Sequence, residues 1–167
     1  GDSSVMASIL KVNTIQDATN SNTAISVDTT GRVTTPATPS FYVVKNSTQT
    51  AGSSDEQVTW DTVQLDVGSN FASNVFTVPV TGVYFISCMW LSAADTAQTD
   101  VGIRVNSTNI IHTRNAASGG HETTTANLIR SLTASDTVQV RIMSNGGKVY
   151  GDTSTYKWST FMGYLIG

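Results

Sequence analysis

Three side chains in the sequence have the chemistry of a nucleophile or a general base: Cys88, His112 and His121. Cys88 lies in the most apolar run of the chain, where a lone cysteine behaves as a small buried hydrophobe. His112 points away from Ile111 in a strand-like run, and His121 precedes Glu122 in a glycine-rich loop. No pair of histidines or cysteines at metal-ligand spacing, no nucleophile-elbow motif and no phosphate-binding loop occurs. The sequence therefore predicts a protein that is not an enzyme.

The acidic side chains are candidate cation ligands, but they are spread along the chain. They belong to separate loops: Asp95 with Asp100, Asp55 with Glu56, and Asp152. Calcium takes six to eight oxygen ligands, so this spacing is compatible with a calcium site without predicting one. We expect no metal and no cofactor, with calcium as the open alternative.

Aromatic side chains in the loop 145–157 are the other candidates for binding. Tyr150 and Tyr156 lie there beside Asp152 and two lysines. Exposed tyrosines among small polar residues suit the recognition of sugars or protein surfaces. They are equally common in long loops that bind nothing, so both interpretations stay open at this point.

Four apolar runs decide which fold must position these loops. They are hydrophobic on both faces of a strand: Phe41–Val44, Val83–Leu91, the pair Leu128 and Ile129 with Leu132, and Phe161–Ile166. A strand sends successive side chains to opposite faces, so an unbroken apolar run must be covered on both. A two-sheet sandwich covers only the facing sides of its sheets. Other copies of the chain are the simplest cover for the remaining face.

The pattern from Phe41 onward predicts an all-β protein. No stretch repeats apolar residues at helical spacing, and threonine, valine and isoleucine abound where strands are expected. Short strands with polar turns between them predict a ten-stranded antiparallel jelly-roll sandwich. The predicted strands are 41–46, two within 57–66, 74–78, 82–92, 100–106, 109–114, 124–133, 137–144 and 157–166.

Composition excludes several classes of partner. Nine basic and twelve acidic residues give a net charge of −3, with no basic cluster that could neutralise several phosphates, so we expect no nucleic acid. No run reaches the eighteen apolar residues of a membrane helix, so no membrane insertion is expected. The first ten residues lack the basic and apolar regions of a secretion signal.

The chain divides at Pro36 and Pro39. Residues 1–39 contain short apolar pairs between turns rich in Asp, Asn and Thr, too little hydrophobic material for a core. Identical copies packed together could hide such short strands from water. We predict that residues 1–39 form a stalk or attachment segment, with disorder as the alternative, and that residues 40–167 form the jelly-roll head.

The head carries a series of motifs that occur together in a known family. Phe76–Trp90 (FTVPVTGVYFISCMW) resembles the F-x-x-P-x-x-G-x-Y-x-F core strand of the globular head of complement component 1q, a jelly roll shared with the tumour-necrosis-factor superfamily. Val101–Ile111 resembles the family's strand with an N-G turn, though Ser and Thr replace the glycine. Ala134–Val138 resembles its G-D-x-V, and Ser159–Ile166 its closing S-x-F-x-G-x-L-[LI].

This resemblance implies a homotrimer whose inner sheets meet on a three-fold axis, in agreement with the two-faced apolar runs. In that family the first, third, sixth and last major strands form the inner sheet. By the family pattern Phe85 belongs to the sandwich core, so Tyr84 and Trp90 are expected to contact neighbouring subunits. Tyr164 and Gly163 join the predicted interface, Gly163 because a missing side chain lets subunits approach.

The N-terminal segment resembles a different group of proteins. Residues 8–16 (SILKVNTIQ) and 25–34 (ISVDTTGRVT) are similar to lead-in segments of structural proteins in tailed bacteriophages, and the collagen Gly-X-Y stalk of complement relatives is absent. We predict a trimeric virion fibre or knob on the particle surface, made in the host cytoplasm, that contacts other virion proteins through this segment. Its head is expected to bind a host-surface glycan or protein.

Two other functions stay open: a purely architectural trimerisation cap or capsid decoration protein without a ligand, and a glycan-degrading enzyme. If the head binds a receptor, strand reversal places the loops 92–100, 115–122 and 145–157 at the end opposite the C-terminus. The stalk enters beside the C-terminal strand, so these loops should face away from the particle. The predicted ligand contacts are Asp95, His121, Glu122, Tyr150, Asp152 and Tyr156.

Overall fold

The computed structural model describes residues 11–93, 98–116 and 119–167. The chain forms two compact units, Gly1–Thr38 and Pro39–Gly167, which divide close to the boundary expected from the sequence. Every regular element in the described ranges is a β-strand, so the all-β prediction is confirmed. None of these residues belongs to a helix long and apolar enough to cross a membrane.

The N-terminal unit is a three-stranded antiparallel sheet of β1 (Thr14–Gln16), β2 (Thr23–Val27) and β3 (Val33–Thr34), in that order. Asp17 and Asp28 shape its turns, because each carboxylate accepts hydrogen bonds from backbone amides two to four residues further along. None of the described residues 11–38 is buried. The sheet therefore has paired strands but no core of its own.

The second unit, the head, is built from strands joined by short turns. They are β4 (Ser40–Val44), β5 (Gln49–Thr50), β6 (Glu56–Gln57), β7 (Thr62–Val67), β8 (Phe71–Ala72), β9 (Val75–Thr77), β10 (Gly82–Leu91), β11 (Thr99–Val105), β12 (Thr108–Asn115), β13 (Thr123–Leu132), β14 (Thr137–Ile142), β15 (Lys148–Val149) and β16 (Thr160–Leu165). Each of the ten strands predicted from the sequence overlaps one of these strands. Three further strands, β5, β8 and β15, were not predicted, because each has only two residues and is too short to show an alternating pattern.

Two antiparallel sheets enclose the core of the head. A five-stranded sheet has the order β13-β10-β16-β4-β7, and a second sheet has the order β12-β11-β14-β9-β8 with β6 added beside β14. The four runs that are apolar on both faces are the four neighbouring strands β13, β10, β16 and β4. The prediction that these runs form one sheet is therefore confirmed.

The predicted facing of β10 is wrong. Tyr84 and Trp90 are fully buried within a single chain, together with Ile86 and Cys88. They pack in the core between the sheets, so they cannot be the residues that contact neighbouring subunits. Phe85, which the family pattern assigned to the core, lies on the opposite face of the strand and is only half-buried. The prediction assigned the two faces of β10 the wrong way round because both are apolar.

Gly163 also faces the core. A Cβ atom at this position would lie 2.5 Å from Ile86 Cδ1 and 2.8 Å from Phe41 Cε1. The absent side chain therefore makes room for core residues of the same chain, not for a neighbouring subunit as predicted. Tyr164, the next residue, points outward and is 46% exposed, so its role in an interface stays a prediction.

Candidate ligand-binding site

Loops that follow β10, β12 and β15 meet at one end of the head. The amide of Ser92 donates a hydrogen bond to the carbonyl of Glu122 at 2.9 Å, and the amide of Tyr150 donates to the carbonyl of Leu91 at 2.8 Å. The C-terminal Gly167 is hydrogen-bonded to Val83, at the other end of β10. The loops therefore converge opposite the C-terminus, as strand reversal predicted.

A pocket of about 360 Å³ opens between these loops. Its described lining residues are Leu91, His121, Thr123, Tyr150, Asp152 and Trp158. The rings of His121 and Tyr150 meet edge to face, with centroids 4.9 Å apart. His121 is held in place because its Nδ1 hydrogen-bonds the carbonyl oxygen of Ser92 at 2.8 Å. Three aromatic rings and one carboxylate thus surround a concave surface, which is the usual composition of a ligand site.

Asp152 lies at the centre of a local hydrogen-bond network. Its Oδ1 accepts hydrogen bonds from the amide of Ser154 at 2.8 Å and from the Ser154 hydroxyl, and its Oδ2 accepts one from the Tyr150 hydroxyl at 3.1 Å. These bonds, those of Ser154 foremost, lower the pKa of Asp152. The neighbouring Trp158 side chain also helps to lower the pKa of this carboxyl. The bond to Asp152 raises the pKa of Tyr150, so the network consists of a carboxylate and a neutral phenol.

The backbone around Tyr150 is fixed by the strands beneath it. Ser159 Oγ donates to the Tyr150 carbonyl at 2.7 Å and accepts a hydrogen bond from the amide of Leu91 at 3.1 Å. Gly151 packs so closely that a Cβ atom there would lie 2.7 Å from the carbonyl oxygen of Ser47 and 2.7 Å from Lys45 Cγ. This side of the pocket is therefore preformed, because the backbone at Tyr150 and Gly151 has little freedom to move.

The predicted ligand contacts fall into four groups. His121, Tyr150 and Asp152 line the pocket. Tyr156 lies at its margin, 73% exposed, with its ring centroid 6.2 Å from that of Trp158. The backbone of Glu122 joins two loops, but its side chain is not among the lining groups. Asp95 lies outside the described residues.

Trp158 was missed by the sequence reasoning. The predicted strand 157–166 included it, whereas β16 begins at Thr160, so Trp158 belongs to the loop. An aromatic residue two positions after Tyr156 in a polar loop was the available signal. Leu91 and Thr123, at the ends of β10 and β13, were missed because strand ends that border a pocket carry no sequence signature.

The other reactive side chains, Cys88 and His112, lie outside this pocket. Cys88 is completely buried, and burial raises the pKa of its thiol, so little of it is the reactive thiolate. His112 Nε2 lies 3.5 Å from Asp100 Oδ2, in an ion-pair cluster with Arg114. Within the described ranges, no three His, Cys, Asp or Glu side chains are grouped so that they could hold a metal ion.

A second surface, the outer face of the five-stranded sheet, is apolar. Its large side chains are Tyr42, Leu65, Phe85, Met89, Ile129, Met162 and Tyr164. A hollow of about 430 Å³ lies between Tyr42, Met89 and Met162. Contiguous apolar surface of this kind marks an interaction site, since monomeric proteins rarely expose it.

The sequence of the head matches a known domain family. The family model for the C1q domain matches residues 40–166. The chain belongs to the C1q domain family. Its C1q domain therefore coincides with the head, and the N-terminal unit lies outside the match. No curated protein matches the chain by sequence.

Solved structures share the fold of this C1q domain at low sequence identity. The globular domain of zebrafish complement 1qA is 18% identical with a TM-score of 0.63, and the match covers 77% of this chain and 98% of that one. Murine APRIL is 13% identical, with a TM-score of 0.60 and coverage of 77% and 99%. Eiger TNF from S. frugiperda is 10% identical, with a TM-score of 0.65 and coverage of 78% and 94%. These likenesses establish the jelly-roll fold.

Proposed function

We propose that the C1q domain assembles as a homotrimer and binds a host-surface receptor through the pocket formed by its distal loops. The observation that carries this proposal is the convergence of Tyr150, Asp152 and Trp158 in a preformed pocket. The pocket lies at the end of the head opposite Pro39, whose carbonyl accepts a hydrogen bond from the amide of Leu165 at 3.0 Å. The head begins there, at Pro39.

Trimer formation is supported by the apolar outer face of the five-stranded sheet. Side chains such as Phe85, Met162 and Tyr164 gain ~1.5–3 kcal/mol each when they are fully buried. A cyclic arrangement of three copies covers this face on every subunit, so that none of the three faces stays exposed to water. It also places three equivalent pockets at one end, so that weak individual sites combine into avid binding.

The setting we propose is a virion fibre or knob of a tailed bacteriophage, displayed on the particle surface. This part rests on the resemblance of residues 8–16 and 25–34 to phage structural proteins. The absence of buried residues from 11 to 38 supports it, because a sheet without a core needs neighbouring chains to stabilise it. We propose that these neighbours are the other copies of the trimer and the virion proteins to which the segment attaches.

A binding experiment with pocket variants tests the receptor function. The full chain carrying Tyr150→Ala and Trp158→Ala should remain a trimer in gel filtration with light scattering. It should lose binding to host cells and to an array of bacterial glycans. His112→Ala, on an edge strand away from the pocket, is the control and should bind normally. If the pocket variant binds cells as well as the unaltered protein, the head is an architectural cap, or the receptor contacts another surface, and the proposal is wrong.

A further inference from the structure

The distal pocket contains a carboxylate, Asp152, that forms no ion pair with a lysine or arginine of the described residues. Hydrogen bonds from Ser154 and Tyr150 lower the pKa of Asp152, so this carboxylate is ionised at neutral pH. Neither lysine nor arginine is among the described lining residues. Asp152 takes part in none of the ion pairs of the described residues. Lys157, in the same loop, directs its Nζ to oxygen atoms of Asn46 and Ser154, each at 2.9 Å, and not to the carboxylate.

Most acceptor positions of Asp152 are filled by the protein itself. The amide and hydroxyl of Ser154 and the hydroxyl of Tyr150 donate to it. An ionised carboxylate has about four lone-pair positions, so three donors leave little acceptor capacity for the hydroxyl groups of a neutral sugar. The negative charge persists, because neutral donors stabilise the charge without cancelling it.

The aromatic residues complement this charge. Tyr150 donates a hydrogen bond to the carboxylate, which polarises its side chain and adds electron density to its ring. The face of an electron-rich ring attracts cations, and aromatic pockets are a known means of recognising ammonium groups. An anionic ligand would be repelled by Asp152. A cation would gain from the ring faces and from the carboxylate together.

We infer that the pocket formed by His121, Tyr150, Asp152 and Trp158 binds a positively charged ammonium group, primary or quaternary, on the host-surface ligand. This inference rests on the proposed receptor function and specifies its ligand class. The rings of Tyr150 and Trp158 contact the ammonium group and its attached carbons, and Asp152 supplies the opposing charge. His121 orients Tyr150 through its edge-to-face contact.

Titration of the full chain with small probes tests the ligand class. Choline represents a quaternary ammonium, glucosamine a primary ammonium on a sugar, N-acetylglucosamine its uncharged counterpart, and N-acetylneuraminic acid an anion. Binding is measured by NMR shifts of the tryptophan side chains. We expect choline, glucosamine or both to bind at least roughly threefold to tenfold more tightly than N-acetylglucosamine, as expected for a cation on aromatic faces near a carboxylate. The anionic sugar should not bind.

A charge-removing variant tests the role of the carboxylate. Asp152→Asn keeps the size of the side chain and should weaken cation binding roughly threefold to tenfold. Asp136→Asn, in the turn between β13 and β14 at the opposite end of the head, removes the same charge and should leave binding unchanged.

The outcomes separate this inference from the proposed function. If N-acetylglucosamine or the anionic sugar binds as tightly as the cations, or if none of the probes binds, the ammonium inference is wrong. In that case, the binding of the Trp158→Leu variant to host cells tests the receptor function independently of the ligand class. Loss of cell binding keeps the pocket as a receptor site for another ligand class, and unchanged cell binding overturns the proposed function as well.

Discussion

Phe85 and Tyr164 lie side by side on the outer face of the five-stranded sheet, with ring centroids 5.5 Å apart. They are directly paired in the antiparallel register of β10 and β16. Tyr164 is 46% exposed in the single chain, and its neighbours on this face, Met162 and Ile129, are 39% and 67% exposed. The aromatic pair therefore belongs to a largely apolar surface, of the kind that marks interaction sites in proteins.

A charge placed on this surface should separate the subunits without unfolding them. Phe85→Asp introduces a carboxylate that would be buried without a partner in a trimer, whereas in a monomer it is hydrated. We expect light scattering to give about 17.7 kDa for the variant and about three times this mass for the unaltered chain. Circular dichroism should show a folded β-protein in both.

The neighbouring residue provides the matched comparison. Tyr84 points into the core and its hydroxyl donates to the carbonyl of Val80 at 2.8 Å, so Tyr84→Asp should unfold the head instead of dissociating it. A Phe85→Asp variant that stays trimeric would show that another surface holds the subunits together. A folded Tyr84→Asp monomer would contradict the facing of β10.

Much of the fold could be predicted because the relevant signals lie in residue order. The four runs apolar on both faces identified one sheet, and strand reversal brought the distal loops together. The facing of β10 could not be predicted, since Val83, Phe85 and Met89 are as apolar as Ile86, Cys88 and Trp90. Two apolar faces remove the alternation that distinguishes core from surface.

The candidate site could be predicted only in part from the sequence. His121, Tyr150 and Asp152 could be placed at one end of the head, because topology alone determines which loops meet. The contacts that turn them into a pocket run between side chains: the Tyr150 hydroxyl to Asp152, and the ring of His121 to the ring of Tyr150. Such contacts depend on the path of a long loop, which residue order does not reveal.

Gly163 should tolerate no larger residue. A methyl group there would lie 2.5 Å from Ile86 Cδ1, 2.8 Å from Phe41 Cε1 and 3.0 Å from the carbonyl oxygen of Phe85. Overpacking of a close-packed core destabilises by ~1–3 kcal/mol, so Gly163→Ala should lower the free energy of unfolding by about that amount in chemical denaturation. Gly52→Ala is the control, because its Cβ would meet only the Glu56 side chain at 3.8 Å. Equal stability of the two variants would contradict the core position of Gly163.

Asp100 should make the head sensitive to acid. Burial raises the pKa of this carboxyl, but hydrogen bonds from Arg114 and Gln98 outweigh burial and lower its pKa in the folded state. The unfolded chain therefore binds the proton more readily, and the stabilisation is lost as the pH falls through the lowered pKa. Thermal unfolding between pH 6 and pH 2 should show a falling midpoint. Asp100→Asn should be less stable at pH 6 and less dependent on pH, and an unchanged pH profile in this variant would assign the acid sensitivity to other carboxylates.

Gly151→Ala should weaken receptor binding although residue 151 is not among the groups that line the pocket. The added Cβ would lie 2.7 Å and 2.8 Å from the backbone oxygen and nitrogen of Ser47, and backbone atoms in a strand-bound turn cannot move aside as a side-chain tip can. The loop must shift instead, which displaces Tyr150 and Asp152 on either side of the substitution. A displacement of about 1 Å is enough to reduce affinity strongly in a preformed site. The test compares the binding of the Gly151→Ala and Gly52→Ala variants to host cells, with the trimer mass as the check on folding. Gly151→Ala should bind weakly and Gly52→Ala normally. Equal binding of the two variants would show that ligand binding does not depend on the geometry of this loop.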